Sequence, residues 1–147
     1  MLLEGTVQIK ASQEKVFAML TDPQEVGQCM PGVDSIEVIT PGQKFRALGS
    51  VGLGSVKLKF NNEVEWLELE PPRRAKMKMR GTAPGSSIDT TSEMFLTAGA
   101  DGTTEMKWTA NVVVVGTIAS LAARLMGSVS KKLTAEFFAC VKKRIER

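Results

Sequence analysis

The sequence predicts an α+β fold in which a curved antiparallel sheet wraps one long C-terminal helix. Three observations carry that reading. From Thr117 to Arg147, apolar residues fall at Ile118, Leu121, Ala122, Leu125, Met126, Val129, Leu133, Phe137, Val141 and Ile145. Steps of three and four place these side chains on one face of an α-helix. Between Val33 and Val115, apolar and polar residues alternate in the period of a strand covered on one face. The joins between these segments are short and rich in Pro and Gly, so neighbouring strands run antiparallel. A helix that runs roughly 45 Å at about 1.5 Å per residue needs a matching surface, and a bent, one-sided sheet supplies it.

The elements follow in order β-α-α-β6-α, about seven strands in all, within one domain spanning residues 1–147. Leu3, Val7 and Ile9 alternate with Glu4, Thr6, Gln8 and Lys10, a first strand with Gly5 on its inner face. Ser12 is an N-cap for a short helix whose apolar side is Val16, Phe17 and Leu20. Asp22-Pro23 caps and starts a second short helix, with Val26 and Cys29 facing inward and Pro31-Gly32 ending it.

Ile36 and Val38 belong to the second strand, closed by Pro41-Gly42, and Lys44 to Val51 forms the third, with Phe45, Ala47 and Val51 inward. In the fourth, Val56, Leu58, Phe60, Val64 and Trp66 alternate with Lys57, Lys59, Glu63 and Glu65. The phase then slips to Leu67 and Leu69, the mark of a bulge beside Trp66. After Pro71-Pro72-Arg73-Arg74, the fifth strand turns Ala75, Met77, Met79 and Gly81 inward. The sixth, about Ser87 to Thr97, does the same with Met94 and Leu96. Gly99 to Gly102 is a hairpin loop, and Met106, Trp108, Ala110, Val112 and Val114 line the last strand before the helix.

Composition excludes several classes of function. His and Tyr are absent, which removes imidazole bases, His metal ligands, Ser-His and Cys-His nucleophile pairs, and phenolic acids. No metal or other cofactor is expected. A net charge of +3, spread along alternating strand positions such as Lys57, Lys59, Lys76, Lys78 and Arg80, reads as a solvated outer face rather than a nucleic-acid groove. Cys29 and Cys140 stand far apart with no second pair, so the expectation is two reduced thiols in a cytoplasmic protein. Glu4 and Gln8 interrupt any leader-like apolar run. The longest uncharged stretch, Trp108 to Ala123, falls short of the roughly 18–20 apolar residues of a membrane span. The basic tail Val141-Lys142-Lys143-Arg144-Ile145-Glu146-Arg147 suits a helix C-terminus and admits a weak contact with an anionic membrane surface.

With the elements placed, specific stretches resemble the CoxG family of carbon monoxide dehydrogenase proteins. They are Leu3-x-Gly5, Asp22-Pro23 followed by Cys29-x-Pro31-Gly32-Val33, Pro71-Pro72 and Gly81. Gly102-Thr103, Val114-x-Gly116 with Ala119, and Phe137-Phe138 complete the series. The resemblance covers essentially the whole chain. It implies the helix-grip fold shared by START-like domains and the birch-pollen-allergen superfamily. It also implies a non-enzymatic accessory protein whose partners are the subunits of a molybdenum-containing dehydrogenase, with a role in maturation, membrane recruitment or handling of a lipophilic quinone. Many members continue into a Pro-rich linker and C-terminal anchor, neither of which is read in this sequence.

The candidate site is the space between helix and sheet. Its expected wall is Phe45, Phe60, Trp66, Met77, Met79, Met94, Trp108, Ala110, Leu125, Met126, Val129 and Leu133. Periodicity leaves open whether that interior is filled or hollow. Two features favour a hollow: small inward residues (Gly5, Ala47, Gly49, Gly81, Ala110) and flexible Met at inner positions. The Gly52 to Ser55 loop, the Pro84 to Ser87 turn and the start of the long helix are the expected rim. The occupant would be an apolar small molecule, a quinone or lipid on the strength of the resemblance. Two alternatives stand beside this carrier. One is a cyclase- or hydratase-type enzyme of the same fold, which requires an inward acid. The other is a protein-interaction adaptor indifferent to the cavity.

Overall fold

The computed structural model describes residues 1–53 and 55–146; Gly54, Arg147 and the side chains of Val51, Leu53 and Val56, all used in the strand, rim and tail expectations, lie outside the described residues. The order is β1 (Leu2–Ile9), α1 (Gln13–Thr21), α2 (Pro23–Gly27), β2 (Val33–Thr40), β3 (Lys44–Leu53), β4 (Val56–Glu70), β5 (Arg74–Ala83), β6 (Ser86–Ala98), β7 (Thr104–Gly116) and α3 (Ala119–Ile145). The seven strands form one antiparallel sheet in the order β1-β7-β6-β5-β4-β3-β2. From β2 to β7 this is a meander of hairpins, and β1 closes against β7 with Gly5 opposite Trp108. α3 crosses the concave face, so the helix-grip architecture is present.

Local chemistry starts each short helix. The Ser12 hydroxyl accepts a hydrogen bond from the Lys15 amide at 3.3 Å, and the Asp22 carboxylate accepts one from Gln24 at 3.0 Å. Each satisfies a donor that the first helical turn leaves orphaned. The β4 register shifts between Trp66 and Glu68, which places the bulge beside Trp66. Past it, Leu69 pairs with the buried Ala75 and so keeps the inner face, although at this end of the sheet Leu67 and Leu69 are 44% and 41% exposed. Arg74, in β5, gathers Glu68, Glu70 and Glu93 on the outer face.

The solid core lies at one end of the sheet. Ile9, Val16, Phe17, Leu20, Leu96 and Met106 pack around Val141 and Ile145 from the last turns of α3. The end of α3 is also tied by polar contacts: Arg144 pairs with Glu25 at 2.9 Å, and the Glu146 carboxylate accepts from the Lys10 amide at 2.8 Å. One basic group of the tail is therefore engaged within the fold. α3 runs unbroken through Gly127, where a Cβ would meet open space.

The expectation of two reduced thiols is corrected. Cys29 and Cys140 form a disulfide, with α-carbons 5.4 Å apart across a sequence separation of 111 residues. It pins the end of α2 to the last third of α3. Spacing along the chain could not show this, because the two cysteines meet only once the sheet has carried the chain back over α2.

A hollow between the sheet and the long helix

Toward the other end, the middle of α3 and the sheet stand apart around a hollow. They enclose a cavity of about 480 Å³, open on one side. Burial along α3 records this. Ile118 and Ala122 are buried at its start and Val141 and Ile145 at its end, whereas Met126, Val129, Leu133 and Phe137 between them are only half-buried. The apolar stripe continues, but its middle faces a void.

Adjacent strands bring the sheet wall together row by row. Phe45 stands opposite Val64 in β4, which stands opposite Met79 in β5; Trp66 pairs with Met77, and Met94 with Trp108. Ala110 lies between Leu3 and Ser92. Of the residues expected in the wall, Phe45, Phe60, Trp66, Met77, Met79, Met94, Trp108 and Ala110 line the cavity from the sheet, and Met126, Val129 and Leu133 from the helix. Leu125 does not line it, because one residue from Met126 is a turn of about 100° about the helix axis, which carries its half-buried side chain off the cavity face.

The hollow extends farther along α3 than its small N-terminal residues suggest. Phe137 and Phe138 also line it, and their rings meet edge to face at 5.1 Å while Phe138 lies 6.3 Å from Trp108. Glu136, between the two faces on a helical wheel, is exposed.

A second wall went unread in the sequence. Met30, Pro31 and Val33, between α2 and β2, line the cavity together with Leu20 and Val26. A backbone contact seats this segment: the Ser50 amide donates to Gly32 O at 2.9 Å, and a Cβ at Gly49 would stand 2.0 Å from that same oxygen. Gly32 itself sits at φ +80°, where an L side chain is strained. The Cys29-x-Pro31-Gly32 punctuation was visible, but its cross-chain partner, Gly49, was not.

Three of the small inward residues, Gly5, Gly49 and Gly81, do not act as the sequence suggests, whereas Ala110 does face the cavity. Space at Gly5 is taken by the Trp108 indole, at Gly49 by the Gly32 carbonyl and at Gly81 by the Asn62 side chain. They permit close approaches rather than leaving empty volume. The void comes from the bow of the sheet away from α3.

The chemistry of the wall is simple. Among the described residues no charged side chain lines the cavity; its polar groups are Asn62, Thr90, Thr134 and a few hydroxyls near the β5–β6 hairpin. Of the hairpin groups, Ser86 and Ser87 fall on the expected rim. Ser86 Oγ contacts Thr117 Oγ1 at 3.1 Å and accepts from the Ile118 amide at 3.2 Å, fixing the start of α3. Glu63, Glu65 and Glu105 belong to the outer face. Such a site can hold an apolar molecule by burial and orient it through a few hydrogen bonds, but it presents no acid or base to a reacting atom. No helix among the described residues is long and apolar enough to cross a membrane.

Comparisons with known proteins agree with this architecture. The family model for the carbon monoxide dehydrogenase protein CoxG matches residues 5–146. A conserved protein from Geobacillus kaustophilus is 27% identical, with a TM-score of 0.91 over 99% of this chain and 95% of that one. The Zhui aromatase/cyclase from Streptomyces sp. R1128 is 17% identical, with a TM-score of 0.76 over 100% of this chain and 94% of its own. A START superfamily protein from Mycobacterium smegmatis is 14% identical, with a TM-score of 0.72 over 99% and 97%. The last two likenesses are of fold alone. No curated protein sequence matches the chain significantly.

Proposed function

The chain belongs to the CoxG family of carbon monoxide dehydrogenase proteins, and on that premise we propose that it is a non-enzymatic carrier of an apolar small molecule. The cargo is a quinone or a lipid, and the carrier serves the subunits of a molybdenum-containing dehydrogenase. The observation that carries this reading is the cavity of about 480 Å³ whose described lining holds no charged group. At about 30 Å³ per molecule of liquid water, this is the volume of roughly sixteen waters, which sets the size of what the enclosed part holds. That is a quinone ring system with a short tail, the rest of a longer tail leaving by the open side.

The stretches of β3, β4, β7 and α3 that contribute lining residues carry Lys57, Lys59, Arg124, Lys131 and Lys132 and no acidic residue between positions 112 and 135 or 48 and 62. That bias suits a cytoplasmic protein that meets an anionic surface at its cavity end, with contact weak and salt-dependent. In a reducing compartment the disulfide persists only where reductants are excluded, and Cys29 is 4% exposed.

Native mass spectrometry of the purified protein, with solvent extraction, tests the reading. A bound hydrophobic molecule, or uptake of 2-methyl-1,4-naphthoquinone with quenching of Trp66 and Trp108, supports it. An interior that takes up no quinone overturns it. The cyclase-type alternative required an inward acid, and the described wall supplies none.

A further inference from the structure

Asn62 places a carboxamide, the side chain richest in polar atoms on the sheet wall, where it has no visible structural duty. Ser92, also in the wall, donates to the Thr109 carbonyl at 2.9 Å, and Ser86 is committed to the start of α3. The Asn62 amide has no hydrogen-bond partner among the described residues, yet it lines an otherwise apolar surface. A carboxamide carries two donors and an acceptor, and leaving them unmet beside apolar groups is unfavourable. A Leu or Val at 62 would serve a merely structural wall better.

The neighbouring strands are shaped around this amide. Asn62 pairs with Ala47 in β3 and Gly81 in β5, and a Cβ at residue 81 would stand 2.3 Å from Asn62 Oδ1. Gly81 sits at an ordinary extended φ, so its backbone does not require glycine. What requires it is the space that the amide occupies. Two positions thus conspire to hold one polar group on the cavity floor.

We propose that Asn62, seated by Gly81, is the recognition point of the cavity, hydrogen-bonding an oxygen of an otherwise apolar ligand. Resting on the carrier reading above, it narrows the ligand class to neutral molecules with a carbonyl or hydroxyl oxygen: ketones, quinones, esters. Hydrocarbons leave the amide unmet. Carboxylates such as fatty-acid anions find no cation in the described wall to offset their desolvation.

Three probes of one shape test this by tryptophan fluorescence of the full chain: tetralin, 1-tetralone and tetralin-1-carboxylate. The wild type should bind 1-tetralone about tenfold tighter than tetralin, the carboxylate being weakest. Asn62→Leu should abolish that preference while leaving tetralin binding intact, with Asn62→Ala as a smaller variant should Leu not fit. Gly81→Ala should also reduce the preference, although residue 62 is unchanged. Thr90, buried in the same wall without a hydrogen-bond partner among the described residues, is the control, and Thr90→Val should keep the preference. A preference that survives loss of the amide, or that disappears with Thr90→Val, overturns the assignment while the carrier stands. Failure of the wild type to bind either neutral probe overturns the carrier reading itself.

Discussion

The indole of Trp108 lies against the α-carbon of Gly5 in the paired strand, so close that a Cβ at residue 5 would stand 2.9 Å from the ring. One absent side chain in β1 thus lets the largest residue of β7 lie down along the sheet. There it forms cavity wall on one side and meets Phe138 on the other. The pair links a strand near the N-terminus to the end of the hollow.

Gly5→Ala should therefore move Trp108 rather than merely stiffen β1. The expected cost is about 1–3 kcal/mol, the range for overpacking a fitted interior. A shifted tryptophan emission should accompany it. A variant as stable as the wild type, with unchanged emission, would show that the ring yields freely.

Opening the Cys29–Cys140 bridge should loosen the α2–β2 wall from α3. Cross-links closing loops of about 100 residues contribute roughly 2–4 kcal/mol in practice, so reduction or the double Cys→Ser variant should lower the Tm by roughly 5–15 °C. Differential scanning calorimetry with and without reductant reads this directly.

Filling the hollow should separate binding from folding. Ala110→Phe or Met79→Trp points new bulk into empty space, so the stability change should be smaller than the roughly 1–3 kcal/mol of overpacking a filled core. Uptake of 2-methyl-1,4-naphthoquinone should fall at least about tenfold. If such a variant still fully supports the activity of the proposed partner dehydrogenase, the protein acts as an adaptor and the cavity is incidental.

Acid should weaken the outer face of the sheet. Glu63 is held below the ordinary carboxylate range by the Arg46 hydrogen bond and then by the charge of Lys44; Glu70 is lowered chiefly by the hydrogen bond from Arg74. Depressed folded-state values mean that these groups stabilise fully above the ordinary glutamate value of about 4.3. That contribution is lost as pH falls through their lowered values. Denaturation midpoints should be flat from about pH 5 to 8 and fall below about pH 4. Both groups are exposed to solvent, so added salt should shrink the effect.

Much of this architecture was legible because it rests on local rules. Ser12 and Asp22-Pro23 start helices through bonds to amides two or three residues on. The slip at Trp66 marks a bulge whatever its surroundings, and the period of α3 appears in α3 alone. The wall residues on the sheet followed from the same alternation, since a strand has only two faces. Leu125 was misplaced because neighbouring positions on a helix differ by about 100°, and only the position of the sheet says where the face ends.

Periodicity, caps and short turns determined the element order, the antiparallel pairing of the meander and which side of each strand turns inward, since each depends on residues within a few positions of one another. Tertiary structure decided that the interior is hollow, that Met30 and Pro31 help wall it, that Cys29 meets Cys140, and that Gly5 and Gly81 are small to seat Trp108 and Asn62. Those outcomes depend on how far the sheet bows from α3 and on pairs up to 111 residues apart. A small residue on an inner face reads the same in sequence whether it leaves a void or receives a neighbour. Only the strand laid beside it says which.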